Sequence, residues 1–249
     1  MLIPDLAIIK ANLKQAGLIN TALFSDAVLE QKFKAAYAMV QRNLKVFLEP
    51  TEIIPEDAPQ SEIDALEDAG TPYHQEAAYD YEPGLLSFGS SFGLVQTQNR
   101  PIIAVHSMVL SYPSPENVLY TIPEQWIRAN KKHGQIQLVP TMVSFTLPFS
   151  AYLLQVQGGG SITIPFMLRI RYTAGLKDIE TKWPDVVELV YRQATLNVLK
   201  SAFLPGSKSL SVDGFSKSVS VSVDDWQKSV DSLQGDLMDS IHGIRLGVL

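Results

Sequence analysis

Apolar residues recur at steps of three and four in three stretches of the chain, and at steps of two through its middle. The first helical stretch runs from about Asp26 to Leu48, where Leu29, Phe33, Tyr37, Val40, Leu44 and Phe47 share one face. Ser25 or Asp26 is placed to cap its free N–H groups, and Pro50 ends it. A shorter helix precedes it, from Pro4 to Gln15, stopped by Gly17. The second long helix begins at Pro184, which suits a first helical position because its missing N–H needs no partner there. It runs to about Phe203 with Val187, Val190, Tyr191, Ala194 and Val198 on one face, and Pro205-Gly206 closes it. The third spans about Asp224 to Ile241. Its stripe of Trp226, Val230, Leu233, Leu237 and Ile241 is narrow, which suits packing against one neighbouring helix.

Between about Leu94 and Ala174 the chain is rich in Val, Ile, Thr, Tyr and Phe, with Pro and Gly as punctuation. Strands are predicted at Ile102–Ser111, Asn117–Thr121, Gln135–Val139, Met142–Leu147, Ala151–Val156 and Phe166–Tyr172. Lys132-His133-Gly134 and Gly158-Gly159-Gly160 read as turns, the latter free to adopt positive φ. A last β element covers Leu210–Val223, where apolar residues alternate with Ser about a hairpin turn at Asp213-Gly214. Such a strand completes the protein's own sheet or pairs with a neighbouring subunit. Pro55 to Tyr81 is acidic and polar, and reads as a long surface loop with one or two helical turns at Ser61–Ala69. The expected fold class is α+β: a bundle of about three to four helices with an inserted antiparallel β domain. The helical core is assigned to 1–93 and 175–249, with a Ser-rich strand or hairpin at 209–223, and the insertion to 94–174.

Composition narrows the function more than it names one. The chain has 249 residues, 46% apolar and 18% charged, which describes a folded rather than a disordered protein. Its net charge is −6 with pI near 5.2. No basic block is present; Lys131-Lys132-His133 is a solvated turn, and Arg100, Arg128, Arg169 and Arg171 are scattered without an RNA-binding motif. The absence of cysteine excludes disulfides, thiolate metal sites and a cysteine nucleophile, and fits synthesis in a cytoplasm. The opening Met1-Leu2-Ile3-Pro4-Asp5 lacks the regions of a signal peptide, and no apolar run approaches the ~20 residues of a membrane helix. A soluble protein without a membrane partner is expected.

Chemistry-bearing motifs are missing as well. His74, His106, His133 and His242 stand at no ligand spacing. Glu62, Asp64, Glu67 and Asp68 do not follow the order of a calcium loop, and read as solvated charges. Gly158-Gly159-Gly160-Ser161 lacks the Gly-Lys-Ser/Thr ending and following helix of a phosphate loop. Gly89-Ser90-Ser91-Phe92-Gly93 is not a nucleophile elbow. No catalytic, metal or cofactor residue is assigned, no cofactor is expected, and the chain reads as non-enzymatic. A rival class is a carbohydrate- or ligand-binding β module using Tyr112, Tyr120, Trp126 and Tyr152 as stacking platforms, although aromatics in a β block usually fill a core.

Several stretches, in order, resemble the head–tail connector or neck adaptor proteins of tailed bacteriophages. Leu29 to Leu48 with Glu49-Pro50-Thr51 is similar to their opening helix, and Asn99-Arg100-Pro101-Ile102-Ile103-Ala104-Val105 to the strand that opens an inserted β element. Ile122-Pro123-Glu124-Gln125-Trp126-Ile127, followed by Gly134 to Pro140, resembles a turn and strand of the same insertion. Trp183-Pro184-Asp185-Val186 running into the helix to Ala202 resembles the second core helix, and Ser211 to Ser220 a Ser-rich strand before a C-terminal helix. The resemblance covers about two thirds of the chain in patches, and it is their order that carries it. It implies a structural virion protein assembled in the host cytoplasm and located in the neck. Its copies would form a homo-oligomeric ring, commonly dodecameric, between the portal protein and a tail terminator or other neck protein. DNA would only pass through the channel. The C-terminal segment would reach the portal, with Ile244, Leu246, Val248 and Leu249 as contacts. A tail-completion or baseplate protein is the alternative within the same class.

Overall fold

The computed structural model describes residues 4–16, 24–81, 93–139, 163–202 and 223–242. The fold is α+β, in two compact units: a helical unit of residues 1–45 and 178–249, and a β unit of residues 46–177 inserted into it.

The helical unit contains α1 (Leu6–Gln15), α2 (Asp26–Leu44), a short α4 (Ile179–Lys182), α5 (Pro184–Ala202) and α6 (Val223–His242). Asp5 caps α1, its carboxylate accepting from the Ala7 N–H at 2.9 Å. Lys45 takes the left-handed conformation (φ 53°) that ends α2, so the helix stops four residues before the expected Leu48.

The second long helix of the sequence, α5, is the centre of this unit. Its periodicity predicts one apolar face, yet Val186, Leu189, Val190, Ala194, Leu196, Val198 and Leu199 are all sealed from solvent, on every side of the helix. The explanation is that α1, α2 and α6 all pack on it. Two of its polar residues, Gln193 and Thr195, are buried as well. Thr195 returns its hydroxyl hydrogen bond to the Tyr191 carbonyl at 2.8 Å, and the Gln193 amide donates to Asn197 at 3.0 Å. Phe33 of α2 stacks tilted against Tyr191 with ring centroids 5.2 Å apart, and the Asp5 N–H donates to the Tyr191 hydroxyl at 2.9 Å. The narrow stripe of α6 is as its spacing predicts: Val230, Leu237 and Ile241 are buried, Trp226 and Leu233 half-buried. The buried His242 ring lies 2.6 Å from the Leu44 carbonyl and fixes the end of α6 to the end of α2.

The β unit holds two sheets. The larger contains β1 (Thr51–Pro55), β2 (Tyr73–Glu76), β5 (Ile102–Ser111), β6 (Val118–Thr121) and β9 (Ile164–Ala174) in the order β2-β1-β9-β5-β6, and β3 (Tyr79–Tyr81) also pairs with β9. The smaller has β4 (Gly93–Gln96), β8 (Gln135–Leu138) and β7 (Ile127–Asn130). All pairings are antiparallel except β1 with β2, which is parallel. One core is shared by Ile53, Met108, Leu110 and Tyr172 of the larger sheet, Val95, Ile136 and Leu138 of the smaller, and Trp126 between β6 and β7. Gly175 (φ 118°) closes β9 where any Cβ would fall 2.4 Å from the Glu49 carbonyl oxygen, so glycine is required there.

Two expectations are corrected. The boundaries fall at 45/46 and 177/178 rather than at 93/94 and 174/175, because β1 pairs with β9 and draws the chain from Val46 onward into the sheet. The acidic stretch 55–81 is not a loop: it carries β1's end, α3 (Gln60–Asp68), β2 and β3. Its charges have partners on the central strand. Arg169 of β9 is nearly buried, and its guanidinium donates bidentately to Asp57 (2.6 and 3.2 Å) and to the carbonyl and hydroxyl oxygens of Ser111 (2.8 and 2.7 Å). Arg171 pairs with Glu62 of α3. A buried guanidinium is tolerated only when so paired. The predicted strands Met142–Leu147 and Ala151–Val156, the turn at Gly158-Gly159-Gly160 and the Ser-rich element up to residue 222 lie outside the described residues.

Because α5 is enclosed on every side around Leu196, truncating that residue leaves a buried cavity. Leu196→Ala is expected to cost about 2–5 kcal/mol, read as a lowered urea midpoint, against less than about 0.5 kcal/mol for the exposed Lys14→Ala. Equal midpoints for the two variants would refute the central position of α5.

Candidate functional site

Two places on this scaffold concentrate polar chemistry against an apolar background. The first is a groove of about 620 Å3 in the helical unit, where α1 and α6 part over the start of α5. Each helix contributes residues at helical spacing: Ile8, Asn12 and Gln15 from α1, Val187, Glu188, Tyr191 and Arg192 from α5, Trp226 and Ser229 from α6. The floor is apolar and the wall polar. Arg192 spans it, donating to Ser229 at 2.5 Å and pairing with Glu188 one turn earlier. No nucleophile with an adjacent base lines this groove.

The second is a buried carboxylate in the β unit. Glu76, at the end of β2, is 4% exposed and, among the described residues, has no cation within ion-pair distance. Its charge is met by neutral donors instead. The Tyr172 hydroxyl of β9 donates at 2.9 Å, the Asn99 amide at 2.8 Å, and the Tyr79 hydroxyl of β3 makes a short hydrogen bond. Each tyrosine oxygen accepts in turn from a backbone N–H, Gln98 to Tyr79 at 3.0 Å and Asn99 to Tyr172 at 3.3 Å. Burial, reinforced by the neighbouring carboxylate, holds both phenols far above their ordinary ionisation range. Burial alone lifts Tyr81 to about 12. The cluster joins β2, β3, β9 and the 97–99 loop through one carboxylate.

A third constellation invites a catalytic reading and departs from it in geometry. His106 of β5 lies 2.7 Å from the Thr173 hydroxyl, which donates to Glu52 at 2.8 Å, and Glu52 is also 3.3 Å from the same imidazole nitrogen. A hydrolytic triad places carboxylate and hydroxyl on opposite nitrogens of the ring; here both meet Nε2. The set reads as a hydrogen-bonded ladder across β1, β9 and β5.

The other residues singled out from the sequence are dispersed. His74 is exposed with its ring 5.4 Å from that of Phe47, His133 sits in the turn between β7 and β8, and His242 is bound to Leu44. Among the described residues no group of three His, Asp or Glu is placed to hold a metal ion. Glu62, expected to be a solvated charge, is instead the counter-ion of Arg171, while Asp64 and Glu67 accept from Gln60 and Tyr73 at 2.8 Å each. Trp126 is 1% exposed and packs 6.3 Å from Tyr120, so its indole is a core residue and not a stacking platform; Tyr112 and Tyr120 are half-buried. Tyr152 and the assigned portal contacts Ile244, Leu246, Val248 and Leu249 lie outside the described residues. Sequence reasoning missed the Glu76 cluster. A signal was present in the alternation Tyr79-Asp80-Tyr81, since aromatic residues at a spacing of two mark a strand even in acidic surroundings. No helix among the described residues is long and apolar enough to cross a membrane. Comparison of the chain with protein-family models and with curated proteins finds no match.

The tyrosine shifts fix the sign of an alkaline transition. Unfolded tyrosines ionise near pH ~10, whereas Tyr79 and Tyr172 in the folded protein stay protonated beyond it. Above that pH the unfolded state binds fewer protons, so the contribution is intact below ~10 and is lost as pH rises further. Near-ultraviolet titration is expected to show these phenols ionising together with unfolding. Tyr172→Phe is expected to cost about 1–3 kcal/mol at neutral pH by stripping a donor from a buried anion. Full titration near pH ~10 with the fold intact would contradict the assigned burial.

Proposed function

We propose that the chain is a structural virion protein, a head–tail adaptor whose copies form a ring joining the portal to the tail of a tailed phage. The observation that carries this reading is the discontinuous helical unit, built from both ends of the chain around an inserted β unit. The resembling patches fall on successive elements of both units: 29–48 on α2 and its exit, 99–105 on the entry to β5, 122–127 on the turn before β7, 134–140 on β8, and 183–202 on α5. Charge distribution is consistent with a channel that DNA traverses without sticking. Acids and bases balance within 1–45 and 178–249, so the whole net charge of −6 is carried by the β unit, and phosphates are repelled by such a surface. The function needs no reactive centre, and the polar clusters described above are satisfied internally. Ile244, Leu246, Val248 and Leu249 are the residues we assign to the portal contact.

The test is imaging of the full chain by negative-stain electron microscopy, alone and mixed with the portal of the same genome. A ring seated on the portal is the expected result, and truncation after His242 is expected to abolish it while leaving the helical circular-dichroism signal intact. A bare portal, or rings and wedges on a baseplate component instead, would overturn the reading.

A further inference from the structure

The outward face of α2 is unusual for a surface helix. Ala27, Val28, Gln31, Ala35, Ala38 and Met39 are all exposed along it, Val28 by 37% and Met39 by 36%. A helix facing water ordinarily carries charged residues there. Toward its C-terminal end the charges that border this face are basic: Lys34, Arg42 and Lys45 are exposed, and their side chains have no partner among the described residues, while the exposed acids Asp26 and Glu30 stand at the N-terminal end. α6 presents the opposite character. Asp224, Asp236 and Asp239 are exposed and likewise without partners among the described residues, Asp225 and Asp231 add to the same side, and the one base among them, Lys228, lies 3.9 Å from Asp225. In the midst of these acids stands Gly235, inside the helix, with no positive φ and only open space where its Cβ would be. A helix-interior glycine is unfavourable relative to alanine, and here neither backbone conformation nor intramolecular crowding calls for it.

We infer that the α2 face of one copy docks on the α6 face of the next, as the repeating contact of the ring proposed above, on which the inference rests. Ala35 and Ala38 supply a smooth apolar strip, Gly235 allows a second helix to approach closely, and the flanking lysines and arginine meet the aspartates. Charge also selects the symmetry. Two α2 faces related by a two-fold axis would oppose cation to cation, and two α6 faces anion to anion. The complementary pairing is α2 with α6, a head-to-tail contact that leaves one free face of each kind at either end and so propagates to a closed ring.

A chain without cysteine permits a direct test. In the full-length protein, Ala38→Cys combined with Gly235→Cys, and Ala35→Cys with Gly235→Cys, are oxidised in solution and on the portal. A covalent ladder from at least one double variant, with no dimer from any single variant, is the expected result. Arg42→Glu with Lys45→Glu is expected to lower the cross-linking yield by about tenfold or more, and Asp236→Lys with Asp239→Lys in the same chain to restore it. Dimers from Ala38→Cys alone would show a two-fold α2 contact and overturn the inference. So would protection of Ala38→Cys from alkylation in the monomer, which would mean the chain itself covers the face. Rings on the portal without a ladder would overturn this contact and leave the adaptor reading standing. Absence of both ladder and rings would overturn the two together.

Discussion

Each unit of this protein is organised by a segment that is buried on every side along most of its length. In the helical unit that segment is α5, and in the β unit it is β9, buried from Met167 to Ala174 except at Arg171. A helix or strand buried all round must be wrapped by elements from elsewhere in the chain, because its own neighbours in sequence cannot cover every side. For α5 the cover comes from α1 and α2, more than a hundred residues earlier, and from α6. For β9 it comes from β1 and β3 on one side and β5 on the other. The discontinuity of the helical unit follows from this requirement, since its central helix lies after the insertion and two of its three covers lie before.

Burial on that scale leaves polar groups inside, and the chain deals with them in two ways. On β9 the guanidinium of Arg169 is neutralised by Asp57 and filled out by Ser111, so an acidic residue in a polar stretch is fixed by a cation more than a hundred positions away. At Glu76 the solution is different: an anion is held by the dipoles of Tyr79, Tyr172 and Asn99, which donate without adding charge. In both arrangements the buried charge is met by hydrogen bonds from distant elements, and satisfied networks of this kind rigidify a core.

The two units differ in their surface charge. The β unit bears the net negative charge, while the helical unit is neutral overall but segregated, with basic residues beside the apolar strip of α2 and acids along α6. Complementary charge of this kind gives specificity and orientation to an interface where surfaces meet.

The long helices were legible in the sequence because helical periodicity is local: Leu29, Phe33, Tyr37, Val40 and Leu44 announce α2, and the narrow stripe from Trp226 to Ile241 announces α6. Strand β5 was legible for the same reason, its β-branched run bounded by Pro101 and Tyr112-Pro113. The sequence could not reveal that 51–81 belongs to the sheet, because β1, β2 and β3 are only five, four and three residues long and their polar charges look solvated until Arg169 and Arg171 arrive from β9. It could not show that Trp126 is a core residue, since an indole with an apolar body serves a core and a binding surface equally. Nor could it place Glu76 among two phenols and an amide. Periodicity reports which residues share a face; which face is covered is decided by partners distant in sequence, and that only the tertiary structure supplies.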